Sequence, residues 1–180
     1  MENTHTTPFA LKLFAWYSHK MDVLYEHFLR QYLTYILLMM AYLLFGMHFE
    51  FAINVSNSLP GTLYLIRKGE LPTKGQYIAF TYQNDFIYPK GAHLLKRVAG
   101  VSGDMITSAT HKYYVNGKYV GEARTVTSQG LPIQESELNG VIPAGYYYAQ
   151  ADHPRSFDSR YAAIGLVSSS QVLGRAYKVF

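Results

Sequence analysis

An uncharged run of membrane length, residues 31–49, constrains this chain more than any other feature of its sequence. The run contains no Asp, Glu, Lys or Arg, and its centre, residues 33–45, is almost wholly apolar. A helix of nineteen residues spans roughly 28 Å, which is close to the hydrocarbon thickness of a bilayer. The run therefore predicts a transmembrane helix, and the alternative is a helix buried in a protein core.

The flanks of this run indicate its orientation. Three basic residues precede it, Lys12, Lys20 and Arg30, and the first Lys or Arg after it is Arg67. Because cytoplasmic flanks are enriched in Lys and Arg, we expect the N-terminus in the cytoplasm and the rest of the chain outside. This divides the chain into three expected parts: a cytoplasmic segment (1–30), a transmembrane anchor (31–52) and a periplasmic domain (53–180).

Residues 9–30 carry apolar side chains at a partly helical spacing. This spacing is consistent with an amphipathic helix that lies on the membrane surface before the span. An irregular tail is the alternative, and the sequence does not choose between the two.

Composition excludes several kinds of site. The chain has no cysteine, so disulfides, thiolate nucleophiles and cysteine-based zinc sites are excluded. Its seven histidines form no metal-binding motif, and we expect neither a metal nor a cofactor. The net charge is +4 without any stretch of five basic residues, so a basic surface near anionic lipid is favoured over nucleic-acid binding.

The outer part of the chain has the pattern of strands. Alternation of apolar and polar residues, broken by turn signals, predicts a mainly β domain after the anchor. The Asn116–Gly117 dipeptide between tyrosine-rich arms predicts a type I′ hairpin. The predicted strands are residues 62–67, 76–82, 93–99, 105–109, 112–115, 118–121, 145–150 and 172–180.

Two short motifs in this domain carry reactive side chains. The serine box, residues 54–64, reads NVSNSLPGTLY, and the lysine box, residues 94–104, reads LLKRVAGVSGD. A serine and a lysine can form a hydrolytic pair that needs no histidine, cysteine or metal. The lysine serves as a base only when neutral, and at pH 7 about one free lysine in 2,500 is neutral. Such a site must therefore remove the amine from water and lower its pKa.

A third motif, residues 156–161 with the sequence SFDSRY, follows in the same domain together with Gly165. The three motifs, in this order behind an anchor, resemble those of the type I signal peptidases, membrane-anchored Ser/Lys peptidases of the S26 class. A weaker match covers residues 74–80, and the resemblance extends over most of residues 54–165. It implies a signal-peptidase-like β domain.

The resemblance also implies a role for each matched residue. Ser58 would be the nucleophile and Lys96 the general base. Ser56 would add its hydroxyl to an oxyanion hole formed with the Ser58 backbone N–H, and Ser156 would orient the Lys96 amine. Taken singly, a Ser-x-Ser sequence is more often a turn, and a lone lysine on a strand is more often solvated.

Asp158 and Arg160 would form an ion pair that supports the site, again by resemblance. The alternative for an Asp-Ser-Arg sequence is a surface turn with an exposed ion pair, which contributes little to stability.

Departures from the housekeeping pattern point to a subfamily. Asn54 lies four residues before Ser58, Pro60 lies two residues after it, Ser102 stands where the housekeeping lysine box has Pro, and residues 151–155 read ADHPR. The first two of these features resemble the conjugative-transfer peptidases of the TraF type. Those enzymes process pilin precursors, and some join the new ends into a ring.

The expected function is therefore that of a single-pass serine endopeptidase of the inner (cytoplasmic) membrane. Its expected partners are the lipid bilayer and a membrane-embedded precursor, either a conjugative pilin or another preprotein. The acyl-enzyme would be resolved by water or by the pilin's own amine, and the sequence leaves both open. The alternatives are a housekeeping signal peptidase I, a non-catalytic membrane-anchored component of a secretion assembly, and a nucleic-acid-binding barrel.

Overall fold

The computed structural model describes residues 9–56, 58–127 and 129–180. Residues 1–8 of the predicted cytoplasmic segment and Asn57 of the serine box lie outside the described residues. The chain divides after Gly46 into two compact units.

The first unit is dominated by one long helix, α1 (Phe9–His48), of 40 residues. It is long and apolar enough to cross a membrane, with a mean hydropathy of 1.4 in its most apolar stretch. None of its residues is buried in protein, so the alternative of a core helix is wrong. Residues 9–30 belong to this same helix, so the irregular tail is wrong for the described part of that segment. The apolar, unburied helix indicates membrane anchoring.

The helix ends earlier than the predicted anchor of residues 31–52. It stops at His48, and the chain continues directly into a strand, β1 (Phe49–Ile53), whose residues pair with residues 63–67. Apolar residues at 49, 51 and 53 extend the hydrophobic run, which is why the sequence pattern hides this boundary.

The second unit consists of strands. Ten further strands are found among the described residues: β2 (Leu63–Lys68), β3 (Tyr77–Thr81), β4 (His93–Gly100), β5 (Met105–Ala109), β6 (Lys112–Val115), β7 (Lys118–Glu122), β8 (Gly140–Val141), β9 (Tyr146–Gln150), β10 (Val167–Ser168) and β11 (Val172–Lys178). One sheet has the order β1-β2-β11-β3-β4-β9-β10, and the other has the order β7-β6-β5-β8. All strand pairs are antiparallel. The predicted mainly β fold with one N-terminal helix is confirmed.

The predicted strands agree closely with this arrangement. Strands 105–109 and 112–115 are confirmed at both ends, and strand 172–180 ends two residues early at Lys178. The other five differ by at most one residue at an end. The sequence did not predict β1, β8 or β10, and the last two have only two residues each, too few to show alternation.

The predicted hairpin is also confirmed. Asn116 and Gly117 have φ angles of 50° and 75°, as the two central residues of a type I′ turn require. Val115 pairs with Lys118 across this two-residue connection.

Two hydrophobic clusters fix the strands that carry the reactive residues. The larger cluster combines side chains from both sheets, among them Ile78, Val98, Ile106 and Tyr148. The smaller cluster packs Leu59 against β2, β3 and β11. Because Leu59 directly follows Ser58, its burial anchors the serine box to the large sheet.

Candidate active site

Ser58 lies in the turn-rich segment between β1 and β2 and is only 7% exposed. The buried side chain of Leu59 holds the segment on one side. On the other side, the Ser58 carbonyl accepts hydrogen bonds from the backbone N–H groups of Asp152 and His153, at 2.9 and 3.3 Å. The loop after β9 therefore fixes the backbone of Ser58 from a distance of about 95 residues along the chain.

Lys96 lies in the middle of β4, where buried and half-buried residues alternate. It shares the buried side of this strand with Leu94 and Val98 and is 5% exposed. Ile78 is its partner on the neighbouring strand β3. An aliphatic neighbourhood of this kind cannot replace the water that solvates an ammonium group.

The pKa of Lys96 is lowered to about 8, and burial is the main cause. The negative charge of Asp158 opposes this shift and the positive charge of Arg160 reinforces it. Removal from water disfavours the charged form of an amine. The arrangement therefore supplies what the sequence argument required, a lysine that loses its proton near neutral pH.

Ser58 and Lys96 line the same cleft, which has a volume of about 290 Å³. Ser56 and Ser156 also line it, so four of the six predicted site residues come together. The apolar part of the lining is formed by Ile87, Tyr88, Val126, Ile133, Phe157 and Tyr161. A buried serine and a buried lysine in one largely apolar cleft can carry out nucleophilic acyl transfer.

Sequence comparison assigns the chain to a family. The family model described as signal peptidase, peptidase S26, matches residues 25–180. This chain belongs to the S26 signal peptidase family. The match covers both the apolar helix from residue 25 onward and the whole β unit.

Curated relatives in this family are signal peptidases of bacilli. Signal peptidase I of Bacillus licheniformis is 31% identical over 102 residues, 51% of this chain and 52% of that protein. Signal peptidase I S of Bacillus subtilis (strain 168) is 28% identical over 115 residues, 58% of this chain and 62% of that protein. The matched part of this chain thus spans about half to three fifths of the length of these relatives. A crystal structure of a signal peptidase I from Enterococcus faecalis V583 matches 59% of this chain and 97% of that chain, with 25% identity and a TM-score of 0.39.

Two hydroxyl groups of the serine box are in contact. The hydroxyl oxygens of Ser56 and Ser58 lie 2.8 Å apart, within hydrogen-bond distance. This contact puts the Ser56 hydroxyl beside the expected nucleophile. Its part in an oxyanion hole stays a prediction.

Asn54 holds the serine box through both ends of its side-chain amide. Its Nδ2 donates to the carbonyl oxygens of Leu59 and Gly61, at 2.9 and 3.0 Å. Its Oδ1 accepts from the Ser56 hydroxyl at 3.1 Å and from the Ser56 backbone N–H at 3.3 Å. Carbonyls only accept hydrogen bonds, so this network fixes which end of the amide is oxygen.

The hydrogen bond between Ser56 and Asn54 determines in which direction the hydroxyl protons of Ser56 and Ser58 point. Ser56 has one hydroxyl proton, and it points to the Asn54 amide oxygen, which can only accept. The hydrogen bond between Ser56 and Ser58 is then donated by Ser58. In this resting arrangement the Ser58 proton is directed to Ser56, and it must turn away before a base can take it.

Asp158 and Arg160 form a buried ion pair behind the cleft, with exposures of 0% and 1%. Arg160 Nε and Nη2 donate to the two carboxylate oxygens at 2.8 and 2.9 Å. The same guanidinium donates to the carbonyls of Glu122, Pro154 and Ser156. The alternative of an exposed surface pair is therefore wrong, and the predicted ion pair is present. Its role in supporting the site stays a prediction.

Two hydrogen bonds to its backbone hold Ser156 in place, and one of them comes from Arg160 of this ion pair. Its N–H donates to the His153 carbonyl at 3.1 Å, while its own carbonyl accepts from Arg160 at 3.0 Å. These bonds fix the segment that brings Ser156 into the cleft with Lys96. Its role in orienting the amine stays a prediction.

Sequence reasoning did not assign three further residues that organise the site. Asn54 was noted only as a departure from the housekeeping pattern. Arg97 and Asp152 form an ion pair at 2.6 Å, and Arg97 also donates to the Tyr77 hydroxyl at 3.2 Å. This pair ties the strand of Lys96 to the loop that holds Ser58. Both residues stand inside quoted motifs, but nothing in the sequence shows that they meet.

Replacing Arg160 with Met would leave the Asp158 carboxylate fully buried without its counter-ion. We expect the Arg160→Met substitution to lower the free energy of unfolding by about 3–5 kcal/mol, because a buried unpaired charge is strongly destabilising. The measurement is denaturant unfolding of the full chain in detergent micelles. The Arg160→Lys variant, which keeps the charge but loses the planar fork, should lose less. An Arg160→Met protein as stable as the wild type would contradict this account of the pair.

Replacing Asn54 with Ala would free the Ser56 hydroxyl and the carbonyls of Leu59 and Gly61. We expect the rate of Ser58-dependent cleavage to fall by roughly ten- to a hundredfold, because small displacements of a nucleophile have effects of that size. Because part of the effect of Asn54 reaches Ser58 through Ser56, the Asn54→Ala and Ser56→Ala effects should be less than additive in the double variant. Full additivity would show that Asn54 does not act through Ser56, and an unchanged rate in Asn54→Ala would show that the amide does not align Ser58.

Proposed function

We propose that this chain is a membrane-anchored serine endopeptidase in which Ser58 is the nucleophile and Lys96 the general base. One observation carries the proposal: both side chains are buried in a single cleft, and the pKa of Lys96 is lowered to about 8. With that value about one amine in ten is neutral at pH 7, compared with about one in 2,500 for a free lysine. Membership of the S26 family supports the same chemistry.

The reaction begins with proton transfer. The neutral Lys96 amine takes the Ser58 proton while the hydroxyl oxygen attacks the carbonyl carbon of the scissile peptide bond. The oxygen of that carbonyl becomes an oxyanion, which the Ser58 backbone N–H stabilises together with the Ser56 hydroxyl, once that hydroxyl has turned its proton from the Asn54 amide oxygen. The Lys96 ammonium then gives its proton to the departing amine, and the acyl group stays on Ser58 as an ester.

The second half-reaction releases the acyl group. Lys96, neutral again, takes a proton from the attacking water, whose oxygen forms a bond to the acyl carbon. The ester bond to Ser58 then breaks, the Lys96 ammonium returns its proton to the Ser58 oxygen, and the product leaves with a new carboxyl group. If the amine of the same substrate attacks instead, a peptide bond forms and the product is a ring. Ser156 keeps the Lys96 amine in place during both halves, and the Asp158–Arg160 pair holds the loop that carries Ser156.

The proposed substrate is an exported precursor that loses a signal or terminal segment, most specifically a conjugative pilin. Asn54 before Ser58 and Pro60 after it support this specificity, because they resemble the TraF-type pattern. The proposal includes transpeptidation to a cyclic pilin. The lipid bilayer is the second partner, through α1.

The proposed location is the inner membrane, with the N-terminus in the cytoplasm and the β unit on the periplasmic side. The uncharged run inside α1 supports the anchor. The basic residues Lys12, Lys20 and Arg30 on its N-terminal side support the orientation.

General signal peptidase I activity is the second candidate. It is favoured by the relatives from Bacillus species, which are signal peptidases I. Purified enzyme offered a pilin precursor and a secretory preprotein separates the two candidates. Cleavage of the secretory preprotein with every pilin precursor left intact would remove the conjugative specificity and leave the peptidase.

Precursor processing in membranes tests the catalytic pair. We expect Ser58→Ala and Lys96→Met to abolish processing, because the first removes the nucleophile and the second removes the base without removing the apolar stem. Matched controls are Ser102→Ala and Lys118→Met, two exposed positions outside the cleft. Intact mass is the readout, and a cyclic product is lighter than the hydrolysed one by one water.

Normal processing by both active-site variants would contradict the proposal. The non-catalytic membrane-anchored component of a secretion assembly would then be the leading account. Loss of processing in the two exposed controls would instead indicate that the substitutions act through folding.

A further inference from the structure

The cleft that contains Ser58 and Lys96 has an uneven distribution of charge. Its lining includes the basic side chains of Lys96, Arg124 and Arg155 together with His153. Among the residues described for this lining, none is Asp or Glu. The two arginines are exposed, whereas Lys96 is buried. A peptide entering the cleft therefore meets cationic groups at its surface.

Arg124 and Arg155 differ from the other arginines around the site. Arg97 is paired with Asp152, and Arg160 with Asp158. Within the described chain, no carboxylate lies at ion-pair distance from the guanidinium of Arg124 or Arg155. An incoming carboxylate would therefore displace no existing protein partner from either group.

Both arginines are nevertheless held by their backbones against the site. The Arg124 N–H donates to the hydroxyl of Tyr161 at 3.2 Å, and Tyr161 is buried and stacks on Phe157. The Arg155 N–H donates to His153 Nδ1 at 3.1 Å, and the next residue is Ser156 of the proposed catalytic group. The start of each side chain is fixed while its guanidinium remains available.

The two arginines also line a second cleft, of about 490 Å³. That cleft includes two acidic residues, Glu122 and Asp152, and Asp152 is already paired with Arg97. Because Arg124 and Arg155 belong to both linings, they lie between the two clefts. In the cleft that contains Ser58, no described acidic residue balances their charge.

We propose that Arg124 and Arg155 form a carboxylate-binding subsite, so that the enzyme prefers substrates with an acidic residue close to the cleaved bond. This inference rests on the proposed peptidase function. The planar guanidinium fork binds a carboxylate through two parallel hydrogen bonds, which favours Glu or Asp over their amides. A basic residue at the same substrate position meets like charge and is disfavoured.

Matched peptides test this subsite. The probe is a peptide set with small side chains around one bond and Glu, Gln or Lys at each flanking position in turn, with free and amidated C-termini. The full chain in neutral detergent is assayed for kcat/KM. We expect Glu to be preferred over Gln by roughly three- to tenfold at one or two positions, because the arginines are exposed and partly screened. The preference should shrink as salt is raised.

Variants then assign the preference to residues. In Arg124→Gln/Arg155→Gln the ratio of kcat/KM for Glu and Gln peptides should fall to about one. The matched control Lys118→Gln removes an exposed positive charge outside both clefts, and its ratio should equal that of the wild type. Dependence on the terminal carboxylate rather than on Glu would assign the subsite to the substrate's C-terminus.

Two results would overturn the inference. The first is equal cleavage of Glu and Gln peptides by the wild type, which would leave the peptidase function intact. If the double variant then also binds phosphatidylglycerol vesicles more weakly than the wild type, the arginines are assigned to lipid binding. The second is the absence of any Ser58-dependent cleavage across the set, which would overturn the proposed function and this subsite with it.

Discussion

The removal of the Lys96 amine from water is the constraint on which the rest of the site depends. The amine lies on the buried side of β4 with Leu94 and Val98, and this lowers its pKa to about 8 from 10.5. Between these two values the unfolded chain binds more protons than the folded one, so this group makes stability rise with pH across that window. Below it, the fold bears the full cost of burying an ammonium. In return, the fold holds an amine that is partly neutral at pH 7, as the proposed general base requires.

The neighbouring contacts hold the serine in the cleft that also contains that lysine. Lys96 comes from a central strand, whereas Ser58 comes from an irregular segment whose position depends on Asn54, on buried Leu59 and on the backbone of the loop after β9. The same loop is fixed by the Asp158–Arg160 pair, which is buried and hydrogen-bonded to the backbone of Ala151 and Glu122. A buried polar framework thus holds the segment of the proposed nucleophile, Ser58, which has little regular structure of its own.

Local patterns predicted most of this fold, whereas the proposed roles of the site residues came from the resemblance to a family. Alternation revealed β5 and β6 to the residue, and Asn116–Gly117 revealed the hairpin, because both depend on neighbouring residues alone. The pairing of Arg97 with Asp152 joins residues 55 positions apart, and no local pattern encodes it. The end of α1 was missed because apolar residues suit a membrane helix and an adjoining strand equally well. The ion pair of Asp158 with Arg160 was expected only by resemblance, and its burial was not predicted, since an Asp-Ser-Arg sequence also suits a surface turn.

The pKa of the Lys96 amine is the quantity that tests this account most directly. It can be measured by titrating the full chain in micelles with isotopically labelled lysine, using Lys96→Met to assign the resonance by its disappearance. A Lys96 resonance that titrates near pH 8 is the predicted result. Titration near 10.5, the ordinary value for lysine, would mean that the amine is charged at neutral pH and would contradict its role as the base for Ser58.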